Sequence, residues 1–205
     1  MTSRKPLFVT GIGTGIGKTL VSAVLVEKLK ADYWKPVQSG DLDKSDSLSV
    51  QSLISNTVTK IHPESYKLTQ PFSPHKSAAI DGITIDPETI HLPKTNNALI
   101  VEGAGGLMVP LNNEFLIIDL IKKLNIEVVL VSQNYLGSIN HTLLSIHALK
   151  SYEILIRGII FNGIKDIYSK DFILESTGVE LLGHIPQYNM IDKKTVIDAG
   201  SYIHL

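Results

Sequence analysis

Hydrophobic residues along the chain gather in short continuous runs that are separated by more polar segments. Six runs are rich in Val, Ile and Leu and do not alternate with polar residues: 7–10, 33–37, 98–101, 128–132, 156–161 and 181–185. Runs of this kind are typical of strands that are covered on both faces, as in a parallel sheet. The pattern therefore predicts a mainly parallel central sheet.

The segments between these runs carry hydrophobic residues at helical spacing. Val21, Leu25 and Leu29 stand four residues apart, and similar patterns cover 116–124 and 143–149. A chain in which strands and helices alternate makes right-handed crossovers that place helices on both sides of the sheet. We therefore predict a three-layer α/β fold.

The segment 56–93 departs from this alternation. It holds five of the nine prolines and only a short helical pattern near 77–80. We interpret it as an elaborated loop region of a single domain spanning 1–205, because long insertions in compact domains more often form binding loops or lids than linkers. A disordered excursion is the alternative.

Length and charge narrow the class of protein. A chain of 205 residues exceeds a typical domain but is short for two, and its 19 basic and 20 acidic residues give a net charge of −1. No overall charge attracts nucleic acid or an anionic membrane, so we expect neither as a partner. The hydrophobic content of 43% is ordinary for a chain that folds unaided.

Cysteine is absent, which excludes disulfide frameworks, thiolate metal sites and cysteine nucleophiles. A reducing compartment fits this composition, and we expect a cytoplasmic protein. The most apolar stretch, 115–121, contains Asp119 and is far shorter than the roughly 18 residues of a membrane span. The run at 7–9 is too short for the core of a signal peptide, so we expect neither a span nor export.

The strongest chemical signal is the segment VTGIGTGIGKT at 9–19, where a strand passes through glycines into a helix that we expect to begin at Lys18. Glycines let backbone amides approach phosphate oxygens next to the positive end of a helix. Lys18 would reach the terminal phosphates, and Thr19 would ligate Mg²⁺. The spacing is irregular, because Ile12 stands where the usual pattern has a glycine. The segment predicts a nucleotide site.

Three further charged residues stand where predicted strands end or a helix begins. Lys35, in YWKPVQSG, closes the second strand, and a second ammonium group beside Lys18 suits a substrate more anionic than a nucleotide alone. Glu102 follows a buried strand, and Asp46 stands at a helix start. Together with Thr19, these carboxylates predict an oxygen-rich Mg²⁺ site. The alternatives are surface charges at Lys35 and Glu102 and a helix N-cap at Asp46.

Six segments, in order, resemble the dethiobiotin synthetase family: VTGIGTGIGKT, YWKPVQSG, KSDSLS, VEGAGGLMVPL, NYLGSINHTLLS and RGIIFNG. The joint presence of the KPV, EGAGG and LGSINH segments is far more specific than the phosphate loop. The resemblance implies an α/β three-layer P-loop NTPase-like fold. It also implies a ligase of biotin biosynthesis that converts 7,8-diaminononanoate and CO₂ or bicarbonate into dethiobiotin, with Mg²⁺ as cofactor and ATP as co-substrate.

The chemistry implied by the resemblance passes through a carbamate. One substrate amine takes up CO₂, ATP phosphorylates the carbamate to a carbamic-phosphoric anhydride, and the second amine closes the cyclic urea with release of phosphate. Phosphoryl transfer needs alignment and neutralisation of charge more than covalent help. Lys18, Lys35 and Mg²⁺ would offset the repulsion between the carbamate and the γ-phosphate.

The resemblance also implies roles for individual residues. It implies Lys35 as the catalytic lysine, Thr14 and Ser39 as substrate contacts, and Thr19, Asp46 and Glu102 as the Mg²⁺ ligands. The residues implied for ATP binding are Gly15, Ile16, Gly17, Lys18, Thr19, Leu20, Asp46, Glu102, Gly103, Ala104, Gly105, Asn162, Gly163, Ile185, Pro186 and Gln187.

One of these residues departs from the family pattern, and two others also fit a purely structural role. Gln187 takes the place of the family's usual aromatic residue. Asn162 and Gly163 would contact adenine through an amide side chain that can both donate and accept, but they also fit a plain turn before a helix.

The segment NYLGSINH at 134–141 resembles the part of the family that reaches the substrate of the neighbouring subunit. The resemblance implies a homodimer with the substrate site at the subunit interface and Asn140 as a substrate-binding residue. A helix that starts here would offer free backbone amides to the substrate carboxylate. The alternative is that Asn140 only caps the helix within its own subunit.

Two other functions agree with part of the pattern. A small-molecule P-loop kinase, or a related ATP-dependent amidoligase, would share the phosphate loop and Glu102 but would not need Lys35. A partner-switching ATPase would typically carry a lysine early in the phosphate loop, where this chain has Gly13. Product analysis separates the kinase from the ligase.

Overall fold

The computed structural model describes residues 5–205. Within this range the strands are β1 Leu7–Gly11, β2 Asp32–Trp34, β3 Val37–Ser39, β4 Ile61–His62, β5 Tyr66–Leu68, β6 Leu99–Gly106, β7 Glu127–Gln133, β8 Ile156–Asn162 and β9 Leu181–Ile185. Seven of them form one sheet in the order β4-β2-β6-β1-β7-β8-β9, with parallel pairing throughout. The remaining two, β3 and β5, form a small parallel sheet.

Helices connect the strands. They are α1 Lys18–Leu29, α2 Asp46–Leu53, α3 Pro74–Ile80, α4 Ile117–Leu124, α5 Ser138–Ser151, α6 Ile167–Thr177 and α7 Lys193–Gly200, with short 3₁₀ turns at Leu42–Lys44 and Pro87–Thr89. In the part of the chain that the structure describes, none of these helices has both the length and the hydrophobicity needed to cross a membrane.

Both faces of the sheet are covered, because successive residues of a strand point to opposite sides. On β1, Val9 is buried with residues of α1 and α7, whereas Phe8 is buried with residues of α4. A third cluster packs β7 and β8 against α5 and α6, for example through Phe161 and Ile146. The predicted three-layer fold with a mainly parallel central sheet is confirmed.

The predicted strand at 33–37 is wrong as a single element. β2 ends at Trp34 and β3 begins at Val37 in the other sheet. Pro36 lies between them and has no N–H to donate to a strand ladder. Its carbonyl instead accepts from the amides of Ser65 and Tyr66 at 2.9 and 3.0 Å. The chain therefore leaves the main sheet immediately after β2, with Lys35 at the point of departure.

The segment 56–93, predicted as an elaborated loop, contains β4, β5 and α3. The two strands are only two and three residues long, which is too short to produce a recognisable hydrophobic period. β4 extends the main sheet beside β2, and β5 pairs with β3. Part of the segment therefore continues the sheet.

Glu27, on α1, anchors the start of this segment. Its Oε2 accepts from the amides of Ser55 and Asn56 at 2.7 and 3.0 Å and from Nδ2 of Asn56 at 3.0 Å. Its Oε1 accepts from Nζ of Lys30 at 2.8 Å. Burial alone would raise the pKa of Glu27, but these hydrogen bonds lower it to about 2. The ionised carboxylate therefore stabilises the fold.

We expect Glu27→Gln to destabilise the protein near neutral pH but much less in acid. The folded-state pKa lies below the unfolded-state value of about 4.3, so the stabilisation is present above that value and is lost as the pH falls toward about 2. The effect near neutral pH should be on the order of 1 to 3 kcal/mol, because Gln keeps a carbonyl acceptor but loses the charge. Urea unfolding of both proteins as a function of pH measures the difference.

The matched control is Glu180→Gln, because Glu180 is largely exposed and pairs with Arg157 at the surface. It should change the free energy of unfolding by less than about 1 kcal/mol. A Glu27→Gln effect that stays constant from neutral pH into acid would contradict the role of the ionised carboxylate.

Candidate active site

A cleft of about 640 Å³ lies at the carboxyl edge of the sheet, beside the loop between β1 and α1. The loop, the start of α2, the end of β6 and the segment 71–74 line it. The sequence-predicted residues that it brings together are Thr14, Gly15, Gly17, Lys18, Thr19, Lys35, Ser39, Asp46, Glu102, Ala104 and Gly105.

Two glycines shape the loop. Gly15 and Gly17 have φ of 74° and 91°, in the left-handed region that favours glycine. Gly17 also lies against Asn162, because a Cβ at position 17 would lie 2.1 Å from Nδ2 of that residue. The same Nδ2 donates to the carbonyl of Ile16 at 3.0 Å. The loop is therefore held to the end of β8.

Lys18 is the first residue of α1, as predicted, and its side chain folds back over the loop. Its Nζ donates to the carbonyl of Gly13 at 2.7 Å. Burial lowers the pKa of Lys18 to about 8, and the attraction of Glu102 offsets only part of this effect. A buried ammonium beside a helix N-terminus is suited to bind an anionic group such as a triphosphate.

Lys35 lies inside the protein between two carboxylates. Its Nζ is 2.8 Å from Oδ2 of Asp46 and 3.4 Å from Oε1 of Glu102, and it donates to the carbonyl of Gly103 at 3.3 Å. Burial alone would lower the pKa of Lys35, but Glu102 and Asp46 together raise it. The same attraction lowers the pKa of Asp46 against the effect of burial. Lys35 is therefore a positive charge at the bottom of the cleft.

Thr19 stands between the same two carboxylates. Its Oγ1 is 2.9 Å from Oδ1 of Asp46 and 2.9 Å from Oε1 of Glu102. A hydroxyl has one proton, so it can donate to only one of them at a time. Three hard oxygen donors from three segments fit Mg²⁺, which keeps several waters and phosphate oxygens as its other ligands.

Residues 5–205 contain no cluster of three or more acidic, histidine or cysteine side chains that would hold a metal by itself.

The interpretation of Asp46 as an N-cap is wrong. Helix α2 is capped by Ser45, whose hydroxyl accepts from the amide of Leu48 at 3.3 Å. Asp46 is in the first turn, and its amide donates to Oε1 of Gln38 at 3.3 Å. Its carboxylate is therefore available to Lys35.

The residues predicted for the nucleotide base lie at the ends of β8 and β9. The amide of Gly163 donates to the carbonyl of Ile185 at 2.9 Å, which ties the two strand ends together. Pro186 is partly exposed and Gln187 is exposed. The contact of Asn162 with the loop brings this region beside the phosphate loop.

Three other predicted nucleotide-site residues are buried and do not line the cleft. Ile16 and Leu20 are buried in the core on the α1 side of the sheet. Gly103 is covered by Phe8, since a Cβ at position 103 would lie 2.7 Å from its ring.

Asn140 does not line this cleft. It is exposed on α5, a helix whose N-cap is Gly137, with φ 100°, and whose first turn receives no side-chain cap. The alternative that Asn140 caps its own helix is therefore wrong. The structure leaves Asn140 outside the site that its own chain forms.

Several positions that line the cleft are not among the residues predicted from the sequence. Gln38, Asp41, Phe72 and Val109 line the cleft. Gln38 lies within the YWKPVQSG segment, but its position in the sequence does not indicate that its side chain would accept a hydrogen bond from the amide of Asp46. Phe72 belongs to the 56–93 segment, where the prediction of binding loops was the only available signal.

Two hydroxyl groups complete the site. The hydroxyl of Ser39 is buried and has no hydrogen-bond partner, so it is available to a ligand in the cleft. The phenol of Tyr33 donates to Oε2 of Glu102 at 2.9 Å. Burial, followed by the negative charge of Glu102, raises the pKa of Tyr33 well above its usual value, so the phenol stays protonated.

Comparison with known sequences connects this site to a family. The profile of a family described as an AAA domain matches residues 5–195. ATP-dependent dethiobiotin synthetase BioD of Cytophaga hutchinsonii is 48% identical over 193 residues, covering 94% of this chain and 93% of the relative. The protein of the same name from Christiangramia forsetii is 50% identical over 192 residues, covering 94% and 92%.

Comparison with solved structures supports the fold. The cell division ATPase MinD of Pyrococcus furiosus aligns with a TM-score of 0.64 and 15% identity, covering 97% of this chain and 98% of that one. A ParA family ATPase from Chlorobium tepidum aligns with a TM-score of 0.58 and 16% identity, covering 98% and 99%. At this identity the similarity concerns the fold alone.

We expect Gly17→Ala to destabilise the protein more than Gly15→Ala does. Both variants place a side chain at positive φ, which costs about 1 kcal/mol or more. A Cβ at position 15 meets open space, whereas one at position 17 displaces Asn162 and its hydrogen bond to Ile16, worth about 1 kcal/mol more. Thermal unfolding without nucleotide measures both, and equal losses would contradict the contact with β8.

Proposed function

The chain belongs to the ATP-dependent dethiobiotin synthetase family, and from this membership we infer that it is a ligase of biotin biosynthesis that uses ATP to close a cyclic urea. It joins 7,8-diaminononanoate and CO₂ to give dethiobiotin, ADP and phosphate. The observation that best supports this chemistry is the buried Lys35, which lies within the cleft of the phosphate loop and pairs with Asp46 and Glu102.

We propose that the loop and Lys18 bind the triphosphate. The left-handed Gly15 and Gly17 turn the backbone at the start of α1, and the Lys18 ammonium lies over the loop. Thr19, Asp46 and Glu102 would hold Mg²⁺, and bound Mg²⁺ would neutralise charge on the phosphate oxygens.

Lys35 is proposed as the catalytic lysine. The first substrate amine attacks the carbon of CO₂ and loses a proton, which gives a carbamate. A carbamate oxygen then attacks the γ-phosphorus and ADP leaves. Because two anions meet in this step, a fixed ammonium at the bottom of the cleft lowers the barrier by stabilising the charge that gathers in the transition state.

Ring closure follows from the same arrangement. The second amine attacks the carbonyl carbon of the carbamic-phosphoric anhydride and loses a proton, and phosphate leaves with the bridging oxygen. Ser39, with its unpartnered buried hydroxyl, and Thr14, at the exposed edge of the loop, are proposed to hold the amine end of the substrate. Asn162, Gly163 and 185–187 are proposed to contact the nucleotide base.

We propose that the protein acts as a homodimer with the substrate between two subunits. In support, Asn140 lies outside its own chain's cleft, and the start of α5 has backbone amides without a side-chain cap. The substrate carries its carboxylate and its amines at opposite ends, so a helix start from a second copy could hold the carboxylate. We also propose that the reaction takes place in the cytoplasm, where ATP is regenerated.

A reaction with ATP, Mg²⁺, bicarbonate and 7,8-diaminononanoate should yield dethiobiotin, detected by mass, and each omission should abolish it. Lys35→Gln should lower turnover by about 10²- to 10³-fold, because it removes a charge used mainly in the transition state. Thermal unfolding checks that the variant is folded. A phosphorylated substrate as final product would indicate a kinase instead, and near-normal turnover would remove Lys35 from the mechanism.

Mixing two inactive variants tests the shared site. Lys35→Gln disables the cleft, and Asn140→Leu disables the proposed carboxylate contact. In a mixed dimer, one of the two hybrid sites contains neither defect, so activity should return to a fraction of the wild-type level. Native mass spectrometry confirms that mixed dimers form. Mixed dimers without activity would show that each site is built from a single chain.

A further inference from the structure

The two carboxylate oxygens of Glu102 have different neighbours. Oε1 is 2.9 Å from Oγ1 of Thr19 and 3.4 Å from Nζ of Lys35, the groups of the cleft. Oε2 accepts from the phenol of Tyr33 at 2.9 Å. Glu102 is only 1% exposed, so water cannot take the place of a missing donor. Within residues 5–205, Tyr33 is the one side chain that bonds to Oε2.

Tyr33 reaches Glu102 from the neighbouring strand of the sheet. β2 and β6 are paired in parallel, with Tyr33 opposite Ile100, two residues before Glu102. Tyr33 has no exposed surface, and its ring is buried among residues of the core on the α1 side of the sheet. Its position is therefore set by strand pairing and packing, not by the ligands of the cleft.

Tyr33 and Lys35 contact the same carboxylate from one short segment of the chain. Tyr33 lies in β2, and Lys35 follows Trp34, the last residue of that strand. Lys35 meets Oε1, and Tyr33 meets Oε2. A neutral phenol only donates to a carboxylate, so it fixes the rotation of the carboxylate without adding charge.

We propose that Tyr33 is a positioning residue for the metal: its phenol holds Oε2 of Glu102 so that Oε1 stays directed at Thr19 and available to Mg²⁺. This inference rests on the proposed role of Thr19, Asp46 and Glu102 as metal ligands. Metal-ligating carboxylates are themselves held by hydrogen bonds, and loss of such a partner typically weakens metal affinity by about 10- to 100-fold. Without the phenol, the carboxylate could turn toward Lys35 with both oxygens.

The first test is Tyr33→Phe, which keeps the ring and removes the hydroxyl. Mn²⁺ is titrated into protein saturated with a non-hydrolysable ATP analogue and followed by electron paramagnetic resonance, and Mg²⁺ is titrated in the activity assay. We expect the dissociation constant for Mn²⁺ and the half-saturating Mg²⁺ concentration to rise about tenfold or more. Turnover at saturating Mg²⁺ should largely recover, which a merely structural defect would not allow.

Tyr66→Phe is the matched control. The phenol of Tyr66 bonds to Thr89 and to the amide of Asp86, away from the cleft. The variant loses a tyrosine hydroxyl that is also hydrogen-bonded, and its metal affinity should equal that of the wild type. A Mn²⁺ affinity of Tyr33→Phe within twofold of the wild type would overturn the proposal. Absence of Mn²⁺ binding to nucleotide-loaded wild-type protein would instead overturn the proposed metal site.

A second measurement does not depend on whether Tyr33→Phe folds. Of the seven tyrosines, only Tyr33 is fully buried. In wild-type protein labelled with 3-fluorotyrosine, its ¹⁹F resonance is assigned as the one that remains when each of the other six tyrosines is replaced in turn by Phe. We expect this resonance to move when Mg²⁺ is added to nucleotide-loaded protein, because the metal draws charge from the carboxylate to which the phenol donates. A resonance that stays unchanged as Mg²⁺ binds would contradict the proposal.

Discussion

The buried ion pair between Lys35 and Glu102 is the constraint on which the rest of the site depends. The two residues are 4% and 1% exposed, and a charge that is removed from water without a partner is strongly destabilising. Lys35 follows β2 and Glu102 lies in β6, so the pair requires these two strands to be adjacent. The two charges can therefore pair only in a sheet that places β2 beside β6.

Asp46 is the third charged residue of this group. It lies on a separate helix, in the first turn after the Ser45 cap, and its carboxylate pairs with Lys35 at 2.8 Å. Lys18 and Lys35 give the cleft two ammonium groups, and Asp41, Asp46 and Glu102 give it three carboxylates. A site with charges of both signs can take up a metal and a polyanion together, because each added charge meets an opposite charge already in place.

Much of this arrangement could be predicted from the sequence. Continuous apolar runs indicate the parallel strands, and the polar residues that follow these runs are expected at the carboxyl edge of the sheet. Lys18, Thr19 and Glu102 were predicted in this way. The division of the run at 33–37 into two strands was not predicted. A pattern based on hydrophobicity does not take into account that Pro36 lacks an amide proton. The Ser45 cap was missed because Asp46, the adjacent residue, is an equally good capping type.

The role of Tyr33 could not be predicted at all. In the sequence it is one more aromatic residue in an apolar strand, and its contact with Glu102 depends on the register between β2 and β6. Register across strands that are separated by more than sixty residues of chain is a property of the folded sheet. Contacts of this kind become visible only in three dimensions.

The path of oxygen through the reaction shows whether the cleft joins a carbamate to the γ-phosphate of ATP. Wild-type protein is supplied with ATP, Mg²⁺, 7,8-diaminononanoate and ¹⁸O-labelled bicarbonate, and the reaction is stopped before bicarbonate has exchanged its label with water. The released phosphate is then analysed by mass. If the carbamate is phosphorylated, the phosphate carries one ¹⁸O atom from bicarbonate and dethiobiotin keeps another in its carbonyl group. Dethiobiotin formed together with unlabelled phosphate would contradict the account.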